Sequence, residues 1–184
     1  MIKIVKAKFS SEMLKNIKDM VGKVFFSYEC GNMVLDEVYG NIQINLDNFS
    51  IEILNETNEM PFYDLMEDIS YFTCKKKSLN KSFRPYCGEK SEKHMINDTI
   101  MAVYIVDDNI SINNGEYDID FDMAIIIETS KHKYTFSRGW FFSETINISV
   151  DKEFDEVYPI SKVVEDWSDE GYNQVKVIRN INLL

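Results

Sequence analysis

The stretch that most constrains this fold is residues 117–150, YDIDFDMAIIIETSKHKYTFSRGWFFSETINISV. Tyr117, Ile119, Phe121, Met123, Ile125 and Ile127 alternate with Asp118, Asp120 and Asp122, and then with Ala124 and Ile126. A two-residue period is a strand signal, and apolar residues on both parities mark a covered, central strand. Ser130-Lys131-His132-Lys133 supplies a polar turn, beyond which Tyr134, Phe136, Trp140, Phe142, Ile146, Ile148 and Val150 share one parity. A turn at Lys131-His132 sets Ile127 against Phe136, Met123 against Trp140, Phe121 against Phe142 and Tyr117 against Ile146, all on one face. The same register leaves Arg138 and Glu144 on that apolar face. Buried charge is costly unless paired, so Gly139 is read as a bulge that turns Arg138 outward.

The rest of the chain reads as further strands with a few short helices. Residues 2–8 suit a strand. Ser10 or Ser11 caps a helix carrying Met13, Leu14, Ile17, Met20 and Val21, and Gly22 stops it. Residues 23–29 form a strand. Residues 41–54 form a hairpin turning at Asp47-Asn48, with Ile42 opposite Ile53 and Ile44 opposite Ile51, and with Gln43, Asn45, Ser50 and Glu52 on a polar face. Pro61 opens a short helix through Phe62, Leu65, Met66 and Ile69, although residues 69–74 suit a strand equally well. Residues 75–94 lack periodicity and read as a mobile loop. Residues 99–106 form an apolar strand, with turns at Asp107-Asp108-Asn109 and Asn113-Asn114-Gly115 leading into the main hairpin. Residues 151–158 and 160–167 are short helical pieces, and residues 172–184 make a terminal strand. The expected fold is α+β: one domain over residues 1–184, a mainly antiparallel sheet of hairpins and a meander, with an N-terminal helix and short C-terminal helices packed on it.

The formal net charge is −11, and it is segregated. Residues 24–74 carry ten acids and no Lys or Arg, whereas residues 75–93 carry seven bases against Glu89 and Glu92. Residues 94–130 carry eight acids and again no Lys or Arg. Such a surface disfavours nucleic acid and anionic membrane and favours a basic partner. No apolar run is long enough to span a bilayer, and the N-terminus lacks the pattern of a signal peptide. Cys30, Cys74 and Cys87 are widely spaced and read as reduced thiols of a cytoplasmic protein.

Few motifs carry chemistry. Asp118, Asp120 and Asp122 begin like a calcium loop, but Met123 stands where Gly is needed and Thr129 where Glu is needed. Glu128 and Lys131 approach the carboxylate–lysine spacing of metal-dependent nucleases and miss it by one residue. Cys74, Cys87 and His94 lack the short spacings of a zinc site. The chain shows no nucleophile elbow, phosphate-binding glycine loop or dinucleotide fingerprint, so no catalytic, cofactor or metal residue is expected. Asp118, Asp120 and Asp122 instead read as an acidic sheet face, with Phe141 on the same side as an aromatic anchor.

In size, charge and strand content the chain resembles the small acidic immunity proteins that neutralise bacterial toxins, with no motif behind the likeness. The expected function is a non-enzymatic, cytoplasmic protein-binding module that holds a basic protein on its acidic sheet face. Two alternatives are a metal-dependent hydrolase built on Asp118, Asp120, Asp122 and Glu144, and an assembly protein that pairs through an exposed strand.

Overall fold

A computed structural model of the protein describes residues 3–33, 36–63, 65–79, 82–86 and 90–184. The first half contains β1 (Lys3–Ala7), α1 (Ser11–Lys18), β2 (Val24–Cys30), β3 (Glu37–Tyr39), β4 (Asn41–Leu46), β5 (Ser50–Phe62) and β6 (Leu65–Lys77). The second half contains β7 (Glu92–Ile112), β8 (Tyr117–Thr129), β9 (Lys133–Arg138), β10 (Thr145–Val150), α2 (Phe154–Val157), α3 (Ile160–Asp169) and β11 (Lys176–Leu183). The main path of the sheet runs β3-β10-β9-β8-β7-β2-β4-β5-β6. Off that path, β1 joins β8 in parallel and β11 joins β7 antiparallel. The architecture is thus a mostly antiparallel α+β fold dominated by its sheet.

Local chemistry explains the short elements. Ser10 caps α1 by accepting the Met13 N–H at 3.2 Å. The helix ends near Gly22, which takes φ 78° and donates its N–H to the Ile100 carbonyl at 2.9 Å. Ile17 and Met20 lie on the buried side of this segment.

The long strands serve two apolar cores. The first gathers Phe25, Ile44, Ile53, Phe72, Ile125 and Phe136, among others, and Ile17 and Met20 belong to it. The second gathers Phe62, Ile69, Ile110, Tyr117, Phe121, Phe141 and Trp167. Strands β5, β6, β7 and β8 each supply residues to both. In β5, Ile53 faces the first core and Phe62 the second. These two residues differ in parity, so the hairpin buries opposite faces at its base and its tip. In β7 a register shift between Val106 and Asp107 falls where the strand passes from one core to the other.

Several expectations hold and several need correction. The hairpin within residues 41–54 has the expected register, Ile42 opposite Ile53 and Ile44 opposite Ile51. Its polar face is not open, because Gln43 and Ser50 are buried. The main hairpin turns one position earlier than expected, at Ser130-Lys131, which shifts the register by two: Ile127 faces Tyr134 and Ile125 faces Phe136, with parity kept. Its second arm is not one strand. It breaks at residues 139–144 and returns as β10, which pairs back onto β9. Trp140 therefore does not face Met123; it packs against Trp167, with ring centroids 5.3 Å apart. Pro61 opens no helix, since it lies within β5, which pairs along its length with β6. Asp107-Asp108-Asn109 is no turn, because β7 runs straight through it.

The largest correction concerns Arg138, which is 1% exposed and points inward. Its guanidinium donates to the Ser70 carbonyl and, at 3.1 Å, to the Ala7 carbonyl. It also lies over the rings of Phe72, 4.9 Å away, and Phe121, 5.3 Å away. Those rings belong to different cores. Burial pulls the pKa of this group down, and the nearby Asp122 carboxylate counters it. Gly139 follows Arg138 for a steric reason: a Cβ there would stand 2.0 Å from the Thr145 hydroxyl oxygen.

Truncating Arg138 empties this junction and leaves two buried carbonyls without their donor. Arg138→Ala should destabilise the protein by about 3–5 kcal/mol in denaturant unfolding. A loss below about 1 kcal/mol contradicts the junction role.

Candidate functional site

The carboxylate row that dominates the sequence is already engaged inside the molecule. Strand β8 sets Asp122 opposite Asp107 and Asp120 opposite Asn109, on one face. Like charges directly opposite repel, and the chain answers with Lys8. The Lys8 ammonium lies 2.9 Å from Asp107, 2.9 Å from Asp122 and 3.3 Å from Asp120. Asp122 is buried and also accepts the Phe9 N–H. Lys6 sits opposite Asp120 in the β1–β8 ladder, and Ile4 opposite Asp118. Burial alone would lower the Lys8 pKa, but its bonds to Asp107 and Asp122 outweigh that and hold it above the ordinary lysine value. An ammonium thus stands at the point where the carboxylates converge.

The other residues singled out from sequence lie elsewhere. Asp118 is half-buried and takes no part in the Lys8 cluster. Phe141 is fully buried in the second core, 5.4 Å from the Phe121 ring and 5.1 Å from the Trp167 ring. Glu144 is not a partner of Lys8. It accepts the Tyr39 hydroxyl and, at 3.0 Å, the Thr57 hydroxyl, and these bonds hold its carboxyl below the ordinary value. Cys74 is buried and burial pushes its thiol up to about 12, which keeps it protonated and a poor metal ligand. His94 stacks on Tyr28, with ring centroids 4.5 Å apart. Cys87 lies outside the described residues.

A different surface leaves its charge open. The tip of the β5–β6 hairpin sets Glu59 directly opposite Asp68, and both are exposed. Among the described residues neither forms an ion pair. Beside them Pro61 faces Met66, and Met66 is 58% exposed. Leu65 at the turn is 66% exposed. Thr57 lies on the same face as Glu59, since residues two apart on a strand share a side. Thr57 binds Glu144, which binds Tyr39, and the Tyr39 ring lies 5.9 Å from that of Tyr86. Both tyrosines are about half exposed. Glu59, Asp68, Met66, Glu144 and the two tyrosines thus follow one another along one band, with Leu65 on the other face of the hairpin.

The signal for this band was present in sequence, in the ten acids and missing bases of residues 24–74. Reading Pro61 as a helix start hid the hairpin that aligns them. Comparison of the chain with family models, with curated proteins and with solved structures finds no match. No helix among the described residues is long and apolar enough to cross a membrane.

The Lys8 cluster makes a pH-dependent prediction. A raised folded-state pKa means that the cluster's contribution is complete below the unfolded lysine value, about 10.4, and is lost as pH rises through the folded value. Thermal midpoints should therefore fall at alkaline pH more steeply for the wild type than for Lys8→Met. The variant should start from a lower midpoint at neutral pH. Parallel alkaline limbs in the two proteins contradict this assignment.

Proposed function

We propose that the protein is a non-enzymatic binding module that holds a basic protein partner, and that the β5–β6 band is where it does so. The observation that carries this reading is the Glu59–Asp68 pair. Like charges directly opposite on a sheet cost roughly 0.2–1 kcal/mol, and a fold selected for stability alone has no use for them. Elsewhere the same chain compensates such a pair: Asp107 and Asp122 share Lys8. At the hairpin the compensation is left to another molecule.

The neighbouring side chains suit that role. Tyrosines are common energetic anchors of interfaces, and exposed carboxylates speed encounter with a cationic surface. Met66, on the same face, supplies apolar area beside the charges. A cationic toxin-like protein, the partner class suggested by the immunity-like size and charge of the chain, fits this chemistry.

Glu59→Lys tests the reading with two opposed readouts. Placing a cation opposite Asp68 should raise stability by about 0.5–1 kcal/mol. The same change should abolish salt-sensitive capture of a basic protein that the wild type retains from lysate of its own host. Equal capture by both proteins at every salt concentration contradicts the proposal.

A further inference from the structure

A second surface lies at the edge of the sheet and does not rest on the hairpin reading. The main path of the sheet ends on β3 and β6, and β1 and β11 are edges off that path. An open edge is a template for another strand, and folded chains usually blunt it by shortness, charge or cover. Strand β3 is three residues long. Strand β1 carries Lys3 and Lys6. Strand β6 has α1 packed against it, and its Ser70 accepts from Arg138 and donates to Phe141. Strand β11 is different. It runs over eight residues without a proline and pairs with β7 without a register shift. Among the described residues no strand pairs with its other side.

Charge does not guard this edge either. Lys176 stands at its first position, and Arg179 is turned in to Asp108 and Asp155. Helix α3 packs on the face that carries Val177, the face of the second core. On that same face Ile181 and Leu183 remain 49% and 65% exposed, and Ile178 on the other face is 64% exposed. The Leu184 N–H fixes the direction of the backbone, because it donates to the Val103 carbonyl at 3.0 Å. Residues alternate sides along an antiparallel ladder, so the even-numbered residues of β11 serve β7. The main-chain N–H and C=O groups of Val177, Arg179, Ile181 and Leu183 therefore point away from it.

We propose that β11 pairs antiparallel with β11 of a second copy of this chain, about a two-fold axis at Asn180, so that one sheet runs across a homodimer. Register and charge select a second copy. Pairing about Asn180 sets Val177 opposite Leu183 and Arg179 opposite Ile181, so each outward-facing residue of one strand meets one of the other. Moving the axis to Arg179 or Ile181 leaves an outward residue without a partner in β11. The chain carries a net charge of −11, so two copies repel each other in general. Residues 171–184 contain no Asp or Glu, and the acids of β7 beside β11 are already answered, Asp107 by Lys8 and Asp108 by Arg179. The pairing also brings the exposed Ile178, Ile181 and Leu183 against a second strand.

Sedimentation equilibrium of the whole protein tests this. The wild type should pass from monomer toward dimer between about 10 μM and 1 mM and go no further. Added salt should tighten the dimer, because screening weakens the repulsion between copies. Asn180→Lys, at an exposed position, sets two ammonium groups directly opposite each other at the axis and should raise the dimer dissociation constant about fivefold. Ile181→Pro removes an outward N–H that β7 does not use and should raise that constant about tenfold or more while the monomer keeps its fold. A chain that stays monomeric to about 1 mM, an assembly that salt dissolves, or a dimer that Asn180→Lys leaves unchanged overturns the proposal.

Discussion

The rest of the structure depends on one buried guanidinium. Arg138 ends β9 at the boundary between two apolar cores, and it ties that strand to β6 through Ser70 and to β1 through Ala7. Ser70 is itself a junction. Its N–H donates to the Phe141 carbonyl at 2.8 Å, and its hydroxyl donates to Asn55 at 2.8 Å. Asn55 in turn donates to the Ser143 and Thr145 carbonyls, at 3.0 and 2.9 Å. A polar seam therefore crosses the interior from the hairpin base to the irregular segment between β9 and β10. Apolar packing alone tolerates many arrangements, whereas a buried hydrogen-bonded network favours one, here with the Arg138 Nε as its one donor left without a partner among the described residues of the seam. The seam fixes how β5 and β6 pass from the first core to the second, and so it positions the hairpin tip that carries the proposed binding band.

Much of this was legible in the sequence where the causes are local. The parity of Tyr117 to Ile127, the cap at Ser10, the stop at Gly22 and the register of the hairpin turning at Asp47-Asn48 all follow from neighbours in the chain. What was not legible comes from remote partners. Asp107-Asp108-Asn109 looks like a turn, yet it stays in a strand because distant cations pair with it. Lys8 reaches Asp107, and Arg179 clamps Asp108 through two bonds of 2.6 and 2.7 Å. The inward course of Arg138 is hidden because its acceptors, two main-chain carbonyls and the Ser70 hydroxyl, belong to remote strands and leave no trace in the pattern around it.

The same distinction separates the two acidic surfaces. Asp118, Asp120 and Asp122 form the more conspicuous pattern, but Lys6 of β1 and Lys8 just beyond it lie against that row. Glu59 and Asp68 lie on the two arms of one hairpin and are inconspicuous in sequence, and their apposition exists only once the hairpin has formed. A charge pattern marks a binding surface by what the rest of the chain leaves uncompensated, and that is a property of the fold.

The polar seam makes the two cores one cooperative unit. Trp140 and Trp167 both report on the second core, while the Ile44 and Ile53 methyl groups report on the first. Denaturant unfolding of the wild-type protein, followed by tryptophan fluorescence and by the NMR signals of those methyl groups, tests this most directly. The transitions should coincide, with the same midpoint and slope. A tryptophan transition separated from the methyl transitions would show that the cores unfold independently and would contradict it.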